Sequence, residues 1–200
     1  RKKTMKALSF DDITLVPNYN DIPSRRDVDT TVQFSGLKLY IPILSANMDT
    51  VTGHRMARRM YSLGGLGFLH RFCSIEQNVE MYELASTKLA VDNRDDAVVS
   101  LGINEGLSRF IALYEIGARY FCVDVAHGHS KAVGKFVKLL KATRSDIFIV
   151  AGNVCTYAGA DYLSGCGADV IKVGIGPGSV CKTRIATGFG VSQFSAILEC

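Results

Sequence analysis

The chain has 200 residues, of which 48% are hydrophobic and 21% are charged, and its formal net charge is +4. This composition is typical of one globular domain with a buried core, and it excludes a disordered chain. The positive charge is spread along the sequence and forms no basic stripe, so we expect no nucleic-acid partner.

The sequence also disfavours membrane association and an oxidising compartment. No apolar run approaches the roughly eighteen residues needed to span a bilayer, and no hydrophobic signal segment is recognisable. The six cysteines are scattered without Cys-x-x-Cys pairs, which argues against a zinc site and against a disulfide framework. We therefore expect a cytoplasmic protein with no membrane partner.

Short apolar runs alternate with helix-like stretches along the chain, after an irregular lead-in over residues 8–26. The runs are brief and rich in β-branched residues, which is typical of buried parallel strands. Strands are predicted at 41–46, 65–70, 97–103, 120–126, 147–153 and 169–175. Helices are predicted at 53–62, 74–87, 106–116, 130–143, 156–166 and 192–200.

Local signals mark the ends of several of these helices. Thr52 is a candidate N-cap for the first helix, because its hydroxyl could accept a hydrogen bond from the first turn. Ser74 followed by Gln77 is a candidate capping box for the second helix. Gly117 and Gly167 come directly after two later helical patterns and are expected to end them.

Repeated strand–helix units predict an α/β fold with a parallel sheet covered by helices. Periodicity alone leaves an open doubly wound sheet and a barrel equally possible. Polar, chemically capable residues follow almost every predicted strand, and such residues collect at the C-terminal mouth of a barrel. An eight-fold barrel takes about 250 residues, so we expect a TIM (β/α)8 barrel that lacks its last two strand–helix units. Residues 1–200 would form this single catalytic domain.

A glycine-rich loop over residues 173–184 carries the clearest chemical signal. Glycines 174, 176 and 178 expose backbone N–H groups that could cradle a phosphate. Cys181 follows, flanked by the cations Lys182 and Arg184, which would favour a thiolate. Most cysteines are small buried hydrophobes, so spacing alone leaves a structural and a catalytic role open.

The string from Gly174 to Arg184 resembles the active-site loop of the IMP dehydrogenase/GMP reductase family. Similar segments cover nearly all of the chain. They are Leu-x-Phe-Asp-Asp-Ile at 8–13, Ser-Ala-Asn-Met-Asp-Thr-Val-Thr at 45–52, Asp-Val-Ala-His-Gly-His-Ser at 124–130 and Ala-Gly-Asn-Val at 151–154. The resemblance implies a barrel enzyme that acts on a purine nucleotide, GMP or IMP, and a homotetrameric assembly.

The resemblance also implies roles for individual residues. Cys181 would be the nucleophile that adds to purine C2, and Thr183 would relay a proton to the leaving ammonia, with an acidic partner outside these 200 residues. Ser179 would meet the substrate 5′-phosphate or cap the loop, and Asn47 and Met48 would lie beside the purine. Potassium would be held by the backbone carbonyls of Gly176, Gly178 and Cys181.

The implied cofactor is NADPH. Its positions, in chain order, are Ser24, Arg25, Arg71, Asp124, Val125, Ala126, Asn153, Ile175 and Gly176. The residues at 24, 25 and 71 would lie near the dinucleotide phosphates, and the residues at 124–126 would line the nicotinamide site with Asn153 nearby. His127 and His129 have no third ligand in view, so loop structure is favoured over a metal site.

Two sister activities fit the resemblance, and features of the sequence point to each. A single predicted helix between the second and third strands leaves no room for the regulatory modules inserted in many IMP dehydrogenases. Asp-Val-Ala at 124–126 is likewise closer to the reductase, which converts GMP to IMP and ammonia. Asp-Thr-Val-Thr at 49–52 is closer to the dehydrogenase, which converts IMP to XMP with NAD. The reductase is favoured; a barrel that binds purine nucleotides without turnover is a third hypothesis.

Overall fold

The structure, a computed structural model, describes residues 7–34, 36–86 and 97–200. Its strands are β1 Val32–Phe34, β2 Leu37–Leu39, β3 Leu44–Ser45, β4 Leu66–Leu69, β5 Ala97–Leu101, β6 Tyr120–Asp124, β7 Phe148–Val154 and β8 Val170–Val173. Its α-helices are α1 His54–Ser62, α2 Ile75–Ala85, α3 Gly106–Glu115, α4 Lys131–Thr143, α5 Tyr157–Gly165, α6 Lys182–Thr187 and α7 Gln193–Glu199. Two 3-10 helices, Phe10–Asp12 and Arg25–Asp27, lie in the lead-in.

Strands β3 to β8 form one parallel sheet whose spatial order is the order of the chain. A doubly wound sheet reverses its strand order at a switch point, and this sheet has no reversal. A sequential parallel sheet with covering helices is instead an arc of a (β/α)8 barrel. The α/β class and the barrel arrangement predicted from the sequence are therefore confirmed for the six parallel strands that the structure describes.

The two faces of the sheet pack differently, because successive side chains of a strand point to opposite faces. One face packs against the helices and forms the larger core, centred on Phe110 and Phe121. The other face carries Phe68, Val98 and Val150, which pack with the hairpin residues Leu37 and Leu39. The β1–β2 hairpin thus covers the inner side of the arc.

Most helix ends follow the local signals in the sequence. Ser74 and Gln77 form the predicted capping box at the start of α2, and Gly167 takes a φ of +100° after α5. The predicted end of α2 at residue 87 lies outside the described residues. None of the helices in the described ranges is long and apolar enough to cross a membrane.

Three local features differ from the prediction. Thr52 does not cap α1, whose N-cap is Gly53, because the Thr52 hydroxyl donates to the Ala46 carbonyl at 2.5 Å and reaches Ser45 Oγ at 3.0 Å. The first strand of the sheet is reduced to two residues. The β1–β2 hairpin and helix α6 were not predicted from the sequence.

Candidate active site

A cleft of about 670 Å³ opens where the strands of the parallel sheet end. This is the volume range of small-molecule sites. Residues at or just beyond the C-terminal ends of five strands line it: 46–48 after β3, 71–72 after β4, 124–126 at β6, residue 153 in β7 and 172–177 at β8. Cys181, Thr183 and Gln193 complete the lining. The sheet therefore brings together residues that are far apart in sequence.

Cys181 is half-buried at this cleft and serves as the N-cap residue of α6. The nearby backbone N–H of Arg184 favours the thiolate and is the largest cause that lowers the pKa of Cys181 below its ordinary value. The backbone and hydroxyl of Thr183 and the charge of Arg184 act in the same direction, and partial burial opposes them. A thiol so placed is ionised more readily than an ordinary cysteine and is a better nucleophile near neutral pH.

Cys122 shows the opposite behaviour within the same chain. It is fully buried on the inner face of the sheet, and desolvation raises its pKa to about 12. A thiol of this kind is inert toward electrophiles while the protein is folded. All six cysteines are free, so their local surroundings alone distinguish them.

The glycine loop before Cys181 is held against the start of α7 and the residues just before it. Gly174 has a φ of +132°, and a Cβ there would lie 2.6 Å from Gln193 Oε1. Gln193 in turn donates to the carbonyl of Val173 at 3.1 Å, and Asn153 donates to the carbonyl of Gly174 at 2.8 Å. Gly176 has a φ of +58° and approaches the carbonyl of Phe189. The loop therefore needs glycine at both positions.

A polar layer on the inner face of the sheet forms the floor of the cleft. Lys172 Nζ lies 2.6 Å from Asp124 Oδ1 and 3.0 Å from Asn47 Oδ1. Asn47 then donates to Ser100 Oγ at 3.0 Å. Gly152 makes room for this lysine, because a Cβ there would lie 2.6 Å from Lys172 Cβ. A partly buried Asp at a strand end is stabilised by a partner, and here Lys172 is that partner.

Sequence reasoning missed Lys172 as a functional residue. The signal was present as one cation inside the apolar run 169–175, since a charged residue in a buried strand is seldom left unpaired. Gln193 and Phe72 also line the cleft and were not predicted.

Arg71 reaches the cleft from the loop after β4. Its Nε is buried and has no hydrogen-bond partner among the residues that the structure describes. Its guanidinium lies 5.1 Å from the ring centre of Phe72. An arginine with an unused donor beside a cleft fits a phosphate of a bound dinucleotide.

Most of the residues predicted for the site line this cleft. Asn47, Met48, Arg71, Asp124, Val125, Ala126, Asn153, Ile175, Gly176, Cys181 and Thr183 do so. Ser179 and Gly178 lie in the adjoining loop and are exposed. Ser24 and Arg25 are not among the lining residues, because they belong to an exposed 3-10 helix where Ser24 Oγ accepts from the Arg26 N–H at 3.2 Å.

The carbonyls expected to hold potassium are partly engaged by the backbone. The Gly178 carbonyl accepts from the Cys181 N–H at 3.2 Å, and the Cys181 carbonyl accepts from the Ile185 N–H at 3.0 Å. Each oxygen retains one lone pair for a cation. In the described part of the chain, no group of three or more His, Cys, Asp or Glu side chains could hold a metal ion.

The described residues combine a parallel barrel arc with a thiol of lowered pKa in the loop that follows β8. Residues 7–200 match the family model of the IMP dehydrogenase / GMP reductase domain. The chain belongs to this family of oxidoreductases, as the sequence resemblance indicated.

Similar proteins carry the names of both activities of the family, GMP reductase and inosine 5′-monophosphate dehydrogenase. Proteins named GMP reductase from Staphylococcus aureus (strain bovine RF122 / ET3-1) and Staphylococcus saprophyticus are each 36% identical to 98% of this chain. A crystal structure of inosine 5′-monophosphate dehydrogenase from Legionella pneumophila is similar with a TM-score of 0.88 and 49% identity over 98% of this chain. The chain spans 60% of the length of those two reductases and 59% of the dehydrogenase.

Proposed function

We propose that this chain supplies the nucleophile and part of the nucleotide site of an NADPH-dependent GMP reductase. The observation that carries the proposal is Cys181, a thiol with a lowered pKa at the mouth of a cleft at the C-terminal ends of the strands. Net conversion takes GMP, NADPH and two protons to IMP, ammonium and NADP⁺. The names of the staphylococcal relatives support this direction.

Covalent chemistry begins at the sulfur of Cys181. The thiolate adds to C2 of the purine, the bond from C2 to the exocyclic amine breaks, and a thioimidate remains. The amine leaves as ammonia after it is protonated, and Thr183 would relay that proton, because its hydroxyl lies beside Cys181 at the cleft. When IMP forms, the C2–sulfur bond breaks and Cys181 returns as the thiolate.

The nicotinamide cofactor, when bound, supplies the hydride that C2 receives. Asp124, Val125, Ala126 and Asn153 would line its nicotinamide end, because they lie at the C-terminal ends of the neighbouring strands β6 and β7 at the cleft. Arg71, whose Nε has no partner among the described residues, would bind a phosphate. Ser24 and Arg25 lie outside the cleft lining, and their part in the proposal rests on the resemblance alone.

The substrate would contact the loops after β3 and β8. Asn47 and Met48 line the cleft beside Lys172 and would meet the purine. Ser179 and the amides of Gly176 and Gly178 would meet the 5′-phosphate, since exposed N–H groups of a glycine loop suit an anion.

IMP oxidation with NAD is the second candidate function, and one observation favours it. The identity to the Legionella dehydrogenase, 49%, is higher than the 36% to the reductases. The same cysteine chemistry serves both reactions, because each one passes through a covalent bond between Cys181 and purine C2. The direction depends on what enters or leaves at that carbon: ammonia for the reductase and water for the dehydrogenase.

Three further properties belong to the proposal through the resemblance. They are a potassium ion at the carbonyls of Gly176, Gly178 and Cys181, a homotetrameric assembly and a cytoplasmic location. A single catalytic domain without an inserted module is part of the same proposal. No chemical step is derived through the ion.

The test incubates the natural protein with each nucleotide–cofactor pair and follows absorbance of the reduced cofactor at 340 nm. Loss of NADPH with GMP supports the reductase, and Cys181→Ser should abolish it. Gain of NADH with IMP, and no reaction with GMP, supports the dehydrogenase instead. Nucleotide binding with no turnover in either direction overturns both and indicates a binding protein.

A further inference from the structure

Arg109 is a buried cation on α3 that lies outside the cleft lining. Only 4% of its surface is exposed. Its guanidinium donates to the carbonyl of Cys73 at 2.7 Å, to the carbonyl of Ser74 at 3.3 Å and to Asn78 Oδ1 at 2.8 Å. Its Nε pairs with the carboxylate of Glu105. Every branch of this side chain is therefore engaged.

These contacts hold both ends of the loop that follows β4. Asn78, which is fully buried, accepts from Arg109 and donates to the carbonyl of His70 at 3.3 Å. The carbonyls of residues 73 and 74 are bound by Arg109 directly. Between these anchors lie Arg71 and Phe72, the two loop residues that line the cleft. Arg109 thus fixes the segment that presents them.

Glu105 links Arg109 to Arg71 through charge. Its second carboxylate oxygen lies 3.8 Å from Arg71 Nη1, while the first pairs with Arg109. The guanidinium of Arg71 also rests on Gly102, where a Cβ would lie 2.9 Å from Nη1. Glu105 at the start of α3 and Gly102 just after β5 therefore both contact the guanidinium of Arg71.

A buried arginine is a costly way to pack a helix. An aliphatic side chain would fill the same space without the desolvation that a guanidinium requires. The guanidinium adds something an aliphatic residue cannot: a fork of fixed geometry that binds several acceptors at once. Three of its acceptors belong to the β4–α2 connection and the first turn of α2, which is the segment that aims Arg71.

We propose that Arg109, with Glu105, is a positioning residue that aims Arg71 and Phe72 into the cleft and thereby sets the affinity for the phosphates of the dinucleotide. This inference rests on the proposed function of Arg71. Neither Arg109 nor Glu105 touches the reacting atoms. They determine the strength of dinucleotide binding and leave the chemistry at Cys181 unchanged.

The experiment measures two properties of the natural protein with the variants Glu105→Gln, Arg109→Met and Gly102→Ala. The first is amide hydrogen exchange over residues 71–74, and the second is dinucleotide affinity with NADPH and NADH as probes. Arg119→Met is the matched control, because this arginine pairs with Asp146 and with carbonyls near the start of β6. Thermal unfolding confirms that each variant is folded.

Arg109→Met is expected to speed exchange over residues 71–74, and all three variants are expected to weaken dinucleotide binding about tenfold. A lost charge-assisted hydrogen bond to a phosphate has about that effect. The value of kcat at saturating dinucleotide should stay within about twofold, because the reacting groups are untouched. Arg119→Met should change neither property. If Arg109→Met does not fold, the dinucleotide affinities of Glu105→Gln and Gly102→Ala still test the proposal, since both variants leave the buried guanidinium in place.

A double variant separates this inference from the proposed function. In an Arg71→Met background, Glu105→Gln should weaken binding no further, because its effect passes through Arg71. The positioning role is overturned if Glu105→Gln weakens dinucleotide binding as much in the Arg71→Met background as in the wild type. It is also overturned if a folded Arg109→Met variant shows unchanged hydrogen exchange over residues 71–74. If Arg71→Met leaves dinucleotide affinity intact while exchange still responds to Arg109→Met, the assignment of Arg71 fails and Arg109 is shown to hold the loop.

Discussion

Lys172 Nζ lies 2.6 Å from Asp124 Oδ1, so a cation on β8 pairs with a carboxylate two strands away, on β6. The same ammonium reaches Asn47 after β3. Gly152 on the intervening strand β7 leaves the space through which this pair forms. Lys172 therefore links β8 at one end of the barrel arc with the segment after β3 at the other end, through the floor of the cleft.

Replacing Lys172 with Met should destabilise the protein and disorder the cleft floor. Asp124 would keep a partly buried charge without its partner. Loss of a partner in a fully buried pair costs about 3–5 kcal/mol, and we expect about 1–3 kcal/mol here because side-chain exposures are 30% and 20%. Urea unfolding measures the change, with Lys135→Met on the exposed face of α4 as control. Equal stability of the two variants would show that the pair contributes nothing.

The pH dependence of Cys181 alkylation should follow its lowered pKa. Because the pKa is lowered, the thiolate persists to more acidic pH, and the midpoint of the reactivity profile should lie below about 8.5, the ordinary cysteine value. Thr183→Val should move the midpoint upward but not fully back, since the Arg184 backbone N–H is the largest cause and remains. Peptide mass spectrometry of iodoacetamide labelling at a series of pH values measures it.

Thr143→Val on α4, whose hydroxyl donates to the Leu139 carbonyl at 2.8 Å, is the control for that measurement and should leave the midpoint unchanged. A wild-type midpoint at or above the ordinary cysteine value would contradict activation by the loop.

Gly67 is a point of close contact between α1 and the sheet. A Cβ at this position of β4 would lie 2.5 Å from the Cα of Ala57, and backbone atoms cannot move aside cheaply. Gly67→Ala should therefore cost about 1–3 kcal/mol, the usual range for overpacking. Gly165→Ala, in open space at the end of α5, should be neutral or slightly stabilising. Thermal unfolding of both variants tests the contact, and equal melting temperatures would refute it.

Local signals in the sequence predicted the helices and the class of fold. The capping box of Ser74 and Gln77 and the glycine after α5 are each local signals. Each one acts on backbone groups only a few residues away, so the sequence displays it directly. Thr52 carried the same kind of signal and was wrong, because its hydroxyl bonds to the end of β3. Tertiary contacts decided that position.

The residues themselves indicated the chemistry of one segment of the candidate site, whereas the family resemblance supplied the other predicted cleft residues. The loop from Gly174 to Cys181 is contiguous, and its chemistry is visible in the string itself. Lys172 was missed because its partners lie 48 and 125 residues away along the chain. The network around Arg109 likewise joins α3 to a loop about 35 residues earlier. Pairings between residues so far apart in sequence can be recognised only once the folded structure brings the strands, helices and loops together.

The most direct measurement is mass spectrometry of the natural protein quenched during turnover with GMP and NADPH, or with IMP and NAD. We predict a covalent nucleotide adduct on the peptide that contains Cys181, and none on the peptide of the buried Cys122. Cys181→Ser should show no adduct and no turnover. Turnover that persists in Cys181→Ser, or an adduct that maps to another cysteine, would contradict the account.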